Sequence, residues 1–370
     1  MQIFKERFEH SMWNAARLRG GLNTFGKALL GGVVMYAGTG AAMAQGAEQS
    51  VPDLSGTYNI ATVTPLQRPK AFGERLYLSP EQAEQIVARV AAAKAEGQEI
   101  SDPNREAPPA GGDGSRGAAG NVGGYNSFWI DNGDSTFTID GKFRTSIITM
   151  PADGQRPAMT PDGQRRAAQR RAFYRENSGE AWWMALDGPG PYDGPETRSL
   201  SDRCLLGFGS TGGPPMLPVL YNNLKRIVQT PDYVMILVEM VHDARIIRLN
   251  SEHAPADVRK WMGDSIGWWE DDTLVVETTN FTDNPALGLA TRDLKVTERF
   301  RRIDDETLLY SFVVDDPNTW TQPWGGEYPW PATDERVYEY ACHEGNYAME
   351  GILKGARILE AEYVESDAGE

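Results

Sequence analysis

Histidine and cysteine are scarce in this 370-residue chain, with four copies of one and two of the other. Two cysteines exclude a paired CxxC zinc knuckle, and the HExxH helix signature is missing as well. There is no GxSxG nucleophile elbow and no GxxxxGK[ST] phosphate loop. The glycine-rich run GFGSTGG, from Gly207 to Gly213, is not a GxGxxG fingerprint followed by a helix, and it reads as a shaped turn. Positive charge is also in deficit: 36 Lys and Arg against 52 Asp and Glu give a formal charge of −16. Such a surface repels phosphate backbones and anionic lipid heads, which argues against nucleic-acid or membrane-surface partners.

Beyond the first forty-odd residues no apolar run approaches the roughly 20 residues of a spanning helix. The start itself reads as a secretory leader, 1–44. Lys5, Arg7, Arg17, Arg19 and Lys27 precede a small, apolar run that ends in Ala42-Met43-Ala44, a small-x-small cleavage pattern. An uncleaved anchor is the alternative, although glycines and Thr39 interrupt the run. The leader holds five basic and two acidic residues, so cleavage leaves 326 residues with a formal charge of −19. The expected location is periplasmic or secreted. An even cysteine count in an exported chain favours one Cys204–Cys342 disulfide over two buried free thiols. In the disputed chain-entropy picture a loop of that length is stabilised by roughly 4–5 kcal/mol.

The fold class expected is mainly β, an antiparallel barrel or sandwich of hairpins with one or two peripheral helices. A strand and a helix occupy 45–96, a flexible Gly/Pro-rich segment 97–124, and the main β domain 125–365. Ser79-Pro80-Glu81 caps a helix reaching about Ala95, and a second helix spans Pro161 to Tyr174. Three segments share an apolar residue, an acidic turn, a threonine and a β-forming run: Ile130 to Phe137, Trp269 to Val276 and Ile303 to Tyr310. Each predicts a tight hairpin. Other strands are expected at 142–150, 224–230, 233–240, 245–249, 296–301, 337–341 and 356–363. A barrel is favoured because closure removes exposed edges; the 34-residue interval between the last two acidic turns leaves a propeller open.

Polar and aromatic residues crowd the second half. GPPMLPVLYNN lies within 213–223, EMVHDARIIRL at 239–249, WMGDSIGWWEDDTLVVETTNF at 261–281, ERFRRIDDETLLYSFVVDDP at 298–317 and EYACHEGNY at 339–347. These strings resemble a widespread family of exported bacterial proteins of unassigned function. The likeness covers roughly 198–357 closely and implies a secreted domain; it carries over no activity and no catalytic residue.

Candidate chemistry rests on His242 and His343, each followed by a carboxylate, Asp243 or Glu344, able to fix a tautomer and hold a proton near neutral pH. The plain alternative is a hairpin turn at 242–244, since neighbours on a strand face opposite ways. A disulfide would bring His343 and Glu344 close to Arg203, with Glu239 and Arg245 assisting at His242. Together with Glu239 the two histidines also form a conceivable metal set. The tryptophans at 182, 183, 261, 268, 269, 320, 324 and 330 either line a pocket or pack the core. The expected partner is a small organic or glycosidic ligand, bound with acid/base turnover or without it, and no cofactor is called for.

Overall fold

The computed structural model describes residues 51–97, 104, 130–174 and 178–367. The expected leader and nearly all of 98–129 lie outside the described residues. Ten strands form one curled, mixed sheet, in spatial order β1 (Gly56–Asn59), β5 (Leu224–Gln229), β6 (Tyr233–Val238), β7 (Ala244–Leu249), β8 (Asp264–Glu270), β9 (Thr273–Thr279), β10 (Lys295–Arg302), β11 (Thr307–Asp315), β12 (Trp324–Pro331) and β4 (Ile148–Met150). A separate two-residue hairpin pairs β2 (Thr138–Ile139) with β3 (Lys142–Phe143). All neighbours in the large sheet are antiparallel except β7 and β8. The curl brings edge strand β1 against the end of β12, the strand next to the other edge. Tyr58 on β1 bridges to Ala332 just past β12, and the Thr333 amide donates to the Thr57 carbonyl at 2.9 Å. This half-barrel is the mainly β class expected, and its single sheet replaces the propeller alternative.

Alternation explains which face is inside. On β10 and β11 every second residue is buried, Val296, Glu298 and Phe300 opposite Val314, Phe312 and Tyr310. The interior is aromatic at one end, where Tyr310 lies 4.7 Å from Trp330 and 5.0 Å from Phe300, centroid to centroid. Such pairs add about 0.5–1.5 kcal/mol each beyond the area they bury. A chain of polar groups threads the same core. Arg245 donates to both carboxylate oxygens of Glu298, to Ser265 Oγ and to Thr278 Oγ1. Tyr310 donates to Glu298 Oε1 at 2.8 Å and accepts from the Met216 amide at 2.9 Å. Burial holds the Tyr310 hydroxyl well above its usual pKa, with the Glu298 charge adding to the effect.

The sequence expectations meet several corrections. Helix α1 (Pro80–Gly97) begins with a reciprocal cap between Ser79 and Gln82, and α2 (Pro161–Phe173) with Thr160 accepting from the Gly163 amide. Two of the three acidic turns make hairpins, β8–β9 and β10–β11. The first does not, because 131–137 pairs with distant chain: Asp131 donates to the Leu220 carbonyl, and Val63 to that of Ser135. The strand expected at 356–363 is part of a third helix, α3 (Tyr347–Asp367). Within that longer frame Met349, Ile352, Leu353, Ala356 and Leu359 recur at helical spacing, and Glu350–Lys354 and Arg357–Glu360 pair along it. The strand expected at 337–341 forms no ladder, while β12 escapes notice because it contains Pro329 and Pro331. Those prolines, two residues apart, present their missing donors on the same side, and β4 reaches only Gly325 and Gly326 on that edge.

Removing the charge of Glu298 leaves the Arg245 guanidinium buried and unpaired, so Glu298→Gln should cost about 3–5 kcal/mol in urea unfolding. Asp283→Asn, which opens the exposed Arg292–Asp283 pair, should cost under about 1 kcal/mol. Equal losses for the two variants would show that the buried chain does not hold the core.

Candidate functional site

After β12 the chain runs along the outside of the sheet as a strap, 332–342. Its first end is fixed by the Tyr58–Ala332 bridge and its last by a disulfide between Cys342 and Cys204, with Cα atoms 5.6 Å apart. Between these ends it docks on the turn that joins β6 to β7. The Tyr338 amide donates to Glu239 Oε1 at 3.4 Å, and His242 Nδ1 lies 3.3 Å from the Tyr340 carbonyl. A neutral His242 that donates from Nδ1 keeps Nε2 as its acceptor. The expected strand is therefore a tether, on which Tyr338 is exposed and Tyr340 packs on the core.

Two clefts flank the strap, each of about 1080 Å³. The first lies over the outward-facing Arg226 and Leu237 and includes His242. The second runs between the strap, the 201–208 loop, the 221–224 loop and the start of α3. Five carboxylates line the second cleft, those of Asp131, Asp202, Glu239, Glu335 and Glu339, against one guanidinium from Arg336. Arg198 pairs with Asp202 at 3.0 Å. Phe208, Tyr221, Tyr338 and Tyr340 supply aromatic wall, and the disulfide itself forms part of the lining.

Backbone strain gathers here. Among the described residues nine non-glycine residues adopt positive φ, and four of them surround the strap: Cys204 at 56°, Asn222 at 55°, Val241 at 63° and His242 at 49°. For a β-branched residue such as Val241 the conformation is costly, about 1–3 kcal/mol, and surroundings must impose it. The strained turn is what presents Glu239 and His242 to the strap. Directly behind it, Lys225 is buried on the inner face and donates to Thr211 Oγ1 at 3.2 Å. Desolvation lowers its pKa to about 7, opposed by the charge of Glu239.

The candidate residues are thus only partly brought together. Glu239 and His242 share the strap, on its two sides. Arg245 is withdrawn into the core by Glu298; it shares strand parity with the buried Ile247, a signal that was present in the sequence. His343 and Glu344 are exposed past the bridge and line neither cleft, and the same is true of Arg203 as a lining residue. Among the described residues no ion pair joins Arg203 to Glu344, and no three His, Cys, Asp or Glu side chains are grouped to hold a metal ion. None of the eight tryptophans lines either cleft; Trp320, Trp324 and Trp330 are core. Sequence reading passed over Phe208 and Tyr221, and Glu335 and Glu339 of the tether, which the fold brings to one cleft.

His253 was also passed over. Its Nδ1 lies 3.2 Å from Asp264 and its Nε2 3.4 Å from Glu277, carboxylates supplied by two other strands. Asp264 is fully buried and further accepts from both Arg248 terminal nitrogens at 2.9 Å and from the Ala254 amide at 3.0 Å. Hydrogen bonds from Arg248 hold its carboxyl far below the usual range. So complete a set of partners marks an anchor for the 250–263 loop. Among the described residues no helix is long and apolar enough to cross a membrane. Comparison with known proteins finds no matching family model, no similar curated protein and no similar solved structure.

Asp243, next to His242, has a buried Oδ2 without a hydrogen-bond partner, and desolvation raises its pKa from 3.8 to about 6, partly offset by His242. Because the folded value is the higher one, Asp243 favours folding below about pH 4, and that contribution is lost as pH rises through 6. Asp243→Asn should therefore stabilise the protein at pH 7.5 by on the order of 1 kcal/mol, after allowance for partial solvent screening, and should be neutral at pH 4. Unfolding curves at the two pH values check this; an equal effect at both would contradict it.

Proposed function

We propose that the chain is an exported protein that binds a small organic cation in the acidic, aromatic cleft beside the strap. One observation carries the reading: five carboxylates and four aromatic rings line a cavity of about 1080 Å³ to which the described residues contribute a single basic side chain. Carboxylates concentrate cations in a cleft, and aromatic faces bind a desolvated ammonium with about 0.5–2 kcal/mol each. Glu239 contributes most in this reading because it is almost fully buried, at 6 % exposure, where water screens its charge least. Export is supported by the leader pattern and by the disulfide, a bond that persists in oxidising compartments.

The acid/base alternative, with His242 as the proton carrier, is supported by the carbonyl that fixes its ring at Nδ1. Binding has the broader support, since Arg245 is committed to the core and His343, Glu344 and Arg203 stand outside both clefts.

Calorimetric titration with tetramethylammonium tests the cation site. Binding should weaken as ionic strength rises, and Glu239→Gln should weaken it by about tenfold, in line with loss of one poorly screened charge. Glu339→Gln, at an exposed position, should have a smaller effect. Absence of binding, or binding indifferent to salt and to both substitutions, would contradict the proposal.

A further inference from the structure

A second cavity of about 630 Å³ shares two walls with the acidic cleft. Phe208 and Tyr221 stand in both linings. Its other walls are mostly apolar, including Val63, Leu66, Val90 of α1, Leu217, Leu220 and Met240, with Thr62, Thr64, Asn132 and Ser210 as uncharged polar groups, and among the described residues no charged side chain borders it. Two of these apolar groups are left open to solvent, Phe208 at 48 % and Leu220 at 52 % exposure. Exposed apolar side chains at the mouth of a cavity offer area that an apolar ligand would cover.

We infer that the ligand is a cationic amphiphile, with its ammonium head in the acidic cleft and an alkyl or aryl tail passing Phe208 and Tyr221 into the apolar cavity. This rests on the proposed cation site and extends it. The adjoining cavities divide the two chemistries cleanly: carboxylates are confined to one, and only aliphatic, aromatic and uncharged groups form the other. An anionic amphiphile would place its head among five carboxylates. A purely apolar ligand would leave the acidic half unused, and a short cation the apolar half. The tail gains by desolvation, which is proportional to the apolar area removed from water.

A series of alkyltrimethylammonium ions, from methyl to decyl and below the micelle-forming concentration, tests this by calorimetry. Affinity should rise roughly fourfold for each methylene that enters the cavity, then level off. Val90→Trp, which fills the cavity, and Leu220→Asn, which sets an uncharged polar group at its wall, should both flatten the series. Neither should change the affinity for tetramethylammonium. Leu220 is exposed, so its variant decides the matter even if the tryptophan variant fails to fold. If the short ion binds but the series is flat in the unaltered protein, the tail site is refuted and the cation site stands. If the slope survives in Leu220→Asn, the tail lies elsewhere and the inference fails. If no member of the series binds, the cation site fails and takes the inference with it.

Discussion

The covalent tie between Cys204 and Cys342 is the constraint on which the candidate site depends. Among the described residues, 332–342 form no ladder of hydrogen bonds; one end is fixed by the sheet bridge at Ala332 and the Thr333 amide on the Thr57 carbonyl, the other by the sulfur bridge at Cys342. Between those points, among the described residues, two polar contacts at Glu239 and His242 attach the strap to the β6–β7 turn, and Asn59 donates to Glu335 at 3.3 Å. A segment so sparsely attached would fray without its far end secured, because each residue released regains about 1–2 kcal/mol of backbone entropy. With both ends secured, the strap becomes a wall with a cleft on either side.

The rest of the molecule is arranged to keep that turn in place. Its strained residues, Val241 and His242, follow directly from β6, whose inward side chains are fully buried aliphatics. Next along the sheet, Arg245 locks β7 to β10 through Glu298 and to β8 and β9 through Ser265 and Thr278. A strained turn persists only when its flanks are overdetermined. Here they are, by aliphatic packing on one strand and a four-partner guanidinium on the other.

Much of the scaffold was legible in the sequence, and most of the site was not. Strands β6, β10 and β11 show their alternation openly, β8 and β9 declare themselves by the acidic turn between them, and the capped helices declare their starts at Ser79 and Thr160. Alternation reports two-sidedness, however, and not pairing, so Val337-Tyr338-Glu339-Tyr340-Ala341 suggested a strand where the chain forms a tether. Short windows misled at 356–363, where only the full 347–367 span displays helical spacing. The cleft draws on Asp131, Phe208, Tyr221, Glu239 and Glu339, segments as much as 208 residues apart, and adjacency in sequence carries no information about such gathering. His343 and Glu344 looked favourable because they adjoin a cysteine. The bridge holds their backbone and leaves their side chains in solvent.

The account stands on the bridge-held strap forming one wall of a cation site. Tetramethylammonium affinity should therefore be measured by calorimetry on the oxidised protein and on protein reduced under non-denaturing conditions, with far-ultraviolet circular dichroism to verify that the sheet persists. Loss of about tenfold or more in affinity on reduction, with the sheet intact, is the predicted result. Unchanged affinity after the Cys204–Cys342 bond is opened would contradict it.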